Sequence, residues 1–313
     1  MKNIKYILAL LIIVFSGCAD ELNDELFHKY SYIINNGWAS YEIPLDENNK
    51  AELGIYLGVN GTSENDKDIT IEISPDSKIL EDYNFDKYKN QITSYYPELP
   101  VSCYSFDKNS YTINKGSVKT AAIVTIDLNN LENVYKEYVL PIKIKSSVGE
   151  DAGPDKYTQL LANILFTNQY SGQYSGTGKL KEVGTNYTVE ISSFRLYATS
   201  TSTCYMYAGN VTRTNQTNYI DYAIDLSFDS DGNITMTAKN SDLEFDPQSA
   251  SMERKYYINY DDNRYYNQTT ILTFKYTYKD LSSDEDRKLE YEGSCSISKK
   301  VLITDYPDVV LEE

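Results

Sequence analysis

One histidine, His28, stands among 313 residues, and that scarcity removes most catalytic chemistry before any fold is considered. A Ser–His or Cys–His nucleophile pair would find no base within the body of the chain. No Cys/His spacing matches a zinc site, and neither a Walker loop nor a dinucleotide-binding glycine fingerprint occurs. The chain is therefore expected to carry no metal, no cofactor and no catalytic residue. Its 46 acidic residues make chance carboxylate pairs inevitable, yet nothing local marks one pair as an acid and its partner. A glycoside hydrolase is thus the weakest of the functional readings. Asp229, Asp231 and Asn233 partly match a calcium loop, but Asp-Gly between alternating strands is explained by a hairpin turn without metal.

Tyrosine is the residue type that could bind. There are 31 Tyr against 9 Phe and 1 Trp. Tyr suits strands, where its ring packs on the pleated surface and its hydroxyl finds a partner. Residues 256–266 concentrate five: Tyr256, Tyr257 and Tyr260 precede a turn, and Tyr265 and Tyr266 follow it. In a hairpin, some of these rings would stand side by side and stack on pyranose faces. Asp262, Asn263 or Arg264 would then meet hydroxyls. The competing reading sends alternate rings to the core. Trp38 reads as core packing.

The N-terminus carries a different chemistry. Lys2 and Lys5 precede an apolar run over residues 6–15, too short to span a bilayer but suited to a signal peptide. Phe15-Ser16-Gly17-Cys18 follows and resembles the bacterial lipobox, with Phe where Leu is usual. This implies a signal peptide over 1–17 and lipidation of Cys18. Membrane attachment would then run through acyl chains alone. Residues 18–36 read as an acidic tether. Its Asp20, Glu21, Asp24 and Glu25 resemble the export signal of Bacteroidetes lipoproteins displayed on the outer face of the outer membrane. Of the other cysteines, Cys204 and Cys295 could pair or remain two buried thiols, and Cys103 would stay free.

These residues must be positioned by strands. Leu53, Ile55 and Leu57 share one face, as do Ile69 and Ile71, and residues 118–127 form a central apolar strand. Residues 81–92 and 128–135 read as loops or single helical turns. About seven strands over 37–167 predict two packed antiparallel sheets. Leu272, Phe274, Tyr276 and Tyr278, and Leu289, Tyr291 and Cys295, head longer strands over 168–307. Those predict a meander closing into an antiparallel barrel, or a flattened sandwich. Residues 308–313 form a tail.

Within the first half, Tyr83-Asn84, Leu99-Pro100, Tyr111-Thr112-Ile113, Lys115-Gly116 and Tyr138-Val139-Leu140-Pro141-Ile142 occur in order. This series resembles the immunoglobulin-like N-terminal domain of Bacteroidetes surface lipoproteins, a type also found before family 18 glycoside hydrolase modules. The second half is similar to the uncharacterised lipocalin-like C-terminal domain that accompanies it. The resemblance implies an all-β lipoprotein of a polysaccharide-utilisation (Sus-like) system, binding a polysaccharide or oligosaccharide. The alternative is a structural partner of a Sus-type outer-membrane transporter or neighbouring lipoproteins. No catalytic residues carry over. A net charge of −17 repels phosphate backbones and argues against nucleic acid.

Overall fold

A computed structural model describes residues 28–312; the leader and Cys18 lie outside the described residues. The first domain comprises β1 (Ser31–Ile33), β2 (Gly37–Pro44), β3 (Lys50–Val59), β4 (Ile69–Pro75), β5 (Tyr104–Phe106), β6 (Tyr111–Ile113), β7 (Lys119–Asp127), β8 (Val139–Val148) and β9 (Gln159–Thr167). They form two sheets, ordered β1-β3-β7-β5 and β2-β9-β8-β4-β6. β2 and β9 pair in parallel, and the other ladders are antiparallel. The alternation in β3 and β4 sends Leu53, Ile55, Leu57, Ile69 and Ile71 into the core between the sheets. Each such side chain contributes about 1.5–3 kcal/mol when fully buried.

Two sequence expectations are corrected here. β1 pairs with β3, and Ser31 and Ile33 are buried, so part of the expected 18–36 tether belongs to the sandwich. Residues 81–88 of the stretch read as a loop or single turn belong to a 12-residue helix, α1 (Ser77–Tyr88), with Asp76 capping it by accepting from the Lys78 N–H at 3.2 Å. Only Leu80 and Asn84 of α1 are buried, which left little periodicity to read. Leu80 packs on Val139 and Leu161, with Trp38, Tyr83 and Tyr96 against the same small core. Asn84 clasps the Tyr96 backbone, N–H and carbonyl both at 2.9 Å, and Leu99 pairs with Val139. The motif residues Tyr83-Asn84, Leu99-Pro100 and 138–142 thus meet in one place.

Sheet membership changes between Thr167 and Gly172. The second domain is one sheet of β10 (Gly172–Glu182), β11 (Thr188–Ala198), β12 (Thr203–Tyr207), β13 (Ala223–Phe228), β14 (Ile234–Ala238), β15 (Asp246–Ile258), β16 (Tyr265–Lys279) and β17 (Lys288–Leu302). Its order, β14-β13-β12-β11-β10-β17-β16-β15, brings the two edge strands back toward each other without a hydrogen-bonded ladder between them. The result is a nearly closed barrel rather than a flattened sandwich. Its interior is filled with rings: Tyr174, Phe274, Tyr276, Tyr278 and Tyr291 are fully buried, and Tyr276 stacks on Tyr291 at 5.1 Å. Buried hydroxyls need partners, and most have one. Tyr174 donates to the Tyr170 carbonyl at 2.7 Å and Tyr222 to Asp280 at 2.9 Å. Gly178 faces Gly293, and a Cβ at either would stand about 2.5–2.6 Å from the Tyr291 hydroxyl, so a side chain has no room there. Cys204 and Cys295 are separate buried thiols, as is Cys103. No helix among the described residues is long and apolar enough to cross a membrane.

Candidate functional site

The tyrosine-rich segment is the hairpin between β15 and β16, but its five rings do not form one platform. Register places Tyr256 opposite Gln268 and Tyr257 opposite Asn267. Gln268 and Thr270 are buried, so Tyr256 and Tyr266 fall on the inward side and Tyr257 and Tyr265 on the other. Tyr260, at the turn, is 91% exposed. Tyr256 accepts from Gln268 Nε2 at 2.8 Å and packs its ring on Tyr306. Asp262, offered to a ligand by the sequence, is held by Arg264 at 2.6 and 2.9 Å, and that guanidinium lowers its pKa to about 2. The pleat divides what the sequence put together.

A denser aromatic assembly lies where the two domains meet. Tyr135, in the β7–β8 connection, donates to Asp225 of β13, 2.9 Å from Oδ2, and sets its ring edge-on to Tyr205 at 4.9 Å. Tyr207 donates to the Tyr135 carbonyl at 3.2 Å. In the other direction, Arg213 of the barrel enters the first domain. Its guanidinium lies 3.8 Å from the centre of the Tyr96 ring, donates to the Ser94 carbonyl at 2.5 Å and pairs with Glu137 at 3.5 Å. Arg195 pairs with Glu42 at 2.6 Å. Burial raises the pKa of Asp225, and the Tyr135 hydrogen bond opposes that rise.

Beside this junction the barrel wall opens. β11 and β12 pair only at Tyr197–Tyr205 and Ala198–Cys204, so the earlier part of β11 diverges from residues 207–213. The gap is a cleft of about 370 Å³ lined by Gln173, Phe194, Arg195, Tyr197, Tyr207 and Arg213, among others. Phe194 stacks on Tyr174 at its base, and Tyr197 is fixed against Tyr205 at 4.9 Å. Burial pushes the Tyr197 hydroxyl up to about 12 and those of Tyr205 and Tyr207 further, so all three are protonated at neutral pH. Rigid rings, amides, hydroxyls and two neutralised guanidinium groups suit a hydroxyl-rich ligand. The sequence carried one hint of this site: Tyr205 and Tyr207 alternate with buried Cys204 and Met206 and so share the outer face of β12.

One family model, described as an N-terminal domain, matches residues 27–151, and a second, described as C-terminal, matches residues 158–296. The two matches follow one another along the chain. The second model begins before β9, which pairs within the first sandwich. Solved structures from Bacteroides share the fold. A multidomain protein including DUF1735 from Bacteroides ovatus has TM-score 0.75 and 19% identity, covering 89% of this chain and 97% of its own. A Bacteroides ovatus protein of unknown function has TM-score 0.75 and 18% identity over the same shares. A protein described as an auxiliary nutrient binding protein, from Bacteroides thetaiotaomicron, has TM-score 0.76 and 20% identity, covering 87% and 94%. No curated protein matches the sequence.

Proposed function

We propose that this chain is a lipid-anchored protein of the outer-membrane surface that binds glycans for a polysaccharide-utilisation system, without cleaving them, and that the cleft beside β11 is its binding site. The observation that carries the reading is the cleft: fixed aromatic walls at Tyr197 and Tyr207, amides and hydroxyls between them, and no acid–base pair among the lining residues. The leader ending in Ser16-Gly17-Cys18 and the acidic residues after it support the location. The nutrient-binding description of one structural neighbour is in keeping with it.

Affinity electrophoresis against a broad panel of neutral polysaccharides tests binding. Retardation of the wild type is expected, and Ser193→Trp, which fills the cleft from an exposed lining position, should abolish it. Failure of every polysaccharide to retard the protein would refute the reading. Location is checked by labelling cells with a clickable fatty acid: the mature protein should take up label, and Cys18→Ser should not.

A further inference from the structure

We infer that the cleft is one end of a longer trough, and that its ligand is a neutral, hydroxyl-rich chain of several sugar units laid along β11. This rests on the glycan-binding reading and extends it to ligand length and charge. A second concavity, of about 670 Å³, lies on the outer surface of the same sheet, lined by Thr177, Lys179, Lys181, Thr188, Glu190 and Glu292, among others. Glu190, Ile191 and Ser192 line both this concavity and the cleft, so the two are neighbours along β11.

The bend that makes the trough has a local cause. β10 carries a bulge between Ser175 and Gly178, and a bulge bends and twists its strand. Gly178 and Gly293 face each other there and let β10 and β17 draw close.

Length and charge select the ligand. From Thr188 to Tyr197 is nine residue steps, about 30 Å at roughly 3.3 Å per residue, several times the length of one sugar ring. Lys179 and Lys181 stand against Glu190, Glu290 and Glu292 in the trough. Arg195 and Arg213 are already matched by Glu42 and Glu137. The lining is close to electrically balanced within a chain of net charge −17, so a polyanionic glycan gains nothing here. Lysine stems and threonine methyls offer apolar surface between polar tips, the alternation that sugar faces and hydroxyl rims require.

The trough holds rather than cuts. Glu190 and Glu292 flank Lys179 from the two neighbouring strands. Glu292, however, is 64% exposed and bonded to Lys275 at 3.0 Å. A general acid needs a desolvated carboxyl, and nothing desolvates this one.

Titration calorimetry with neutral glucan, xylan and mannan ladders, from disaccharide to hexasaccharide, tests the inference, with polygalacturonate fragments as the polyanionic probe. Affinity should rise at least tenfold along the productive neutral ladder. Thr177→Trp, from an exposed position in the trough, should cancel that gain and leave the disaccharide affinity unchanged. Thr188→Trp provides a second block should the first variant fail to fold, as judged by circular dichroism. A hexasaccharide binding no tighter than its disaccharide, or folded blocked variants that bind like wild type, would overturn the trough while the cleft stands. Preference for polygalacturonate would overturn the neutral class. Binding of no ladder and no polysaccharide would overturn both this inference and the glycan reading beneath it.

Discussion

The hairpin at residues 256–266 and the junction around Tyr135, Tyr197, Tyr205 and Tyr207 are both rich in tyrosine, yet they do opposite things. In the hairpin the rings are neighbours in sequence, and strand alternation sends them to opposite faces. At the junction the rings come from different strands and connections, Tyr135 from the other domain, and converge on each other: Tyr135 on Tyr205, Tyr205 on Tyr197, Tyr207 on Tyr219. Density along a strand does not make a platform. Aromatic residues of one parity on neighbouring strands do.

The contrast can be broken most forcefully at Arg213. Its side chain is 11% exposed and Glu137 is 22% exposed. Arg213→Ala would leave a largely buried carboxylate and the Ser94 carbonyl without their partner. A loss of about 3 kcal/mol is expected by urea denaturation, in line with removal of one member of a buried pair. A smaller effect follows at Tyr135→Phe, which deletes one buried hydroxyl and strands Asp225, for about 1–2 kcal/mol.

Asp225 sharpens the comparison through pH. Its native pKa is raised above the ordinary aspartate value, chiefly by burial. Its contribution to stability is therefore complete below that value and is lost as pH rises through the higher native pKa. Asp225→Asn keeps an acceptor for Tyr135, and the difference in stability between variant and wild type should shift in the variant's favour as pH climbs from about 4. A difference independent of pH would contradict this. The smallest effect is expected in the hairpin. Tyr260→Ala, at the exposed turn, should change stability by less than about 0.5 kcal/mol.

What the sequence disclosed was the part governed by local periodicity. The apolar faces of β3, β4, β16 and β17 could be read directly, because each alternates against one core. Helix α1 was missed because the side chains it buries are Leu80 and the polar Asn84, which leaves no apolar stripe to read. Beyond the alternation of Tyr205 and Tyr207, the cleft left no mark in the sequence, for another reason. It exists because β11 and β12 part after two residue pairs, and no residue type announces where pairing stops. The contacts that fix it, such as Arg213 to Ser94 and Tyr135 to Asp225, link residues about a hundred positions apart. The split of the five hairpin tyrosines, by contrast, followed from period two alone and was among the readings open from the start.

One lysine governs how this molecule could be taken apart. Lys299, on the last strand of the barrel, donates to the backbone carbonyls of Asn168, Gln169 and Ser171, the shortest at 2.7 Å. Those three oxygens belong to the short passage between the domains, so the passage is bolted to the barrel rather than slung between two bodies. Severing the chain at residue 172 would strip a partly buried ammonium of its acceptors. An isolated barrel that keeps residues 168–171 should therefore be the sturdier half-molecule.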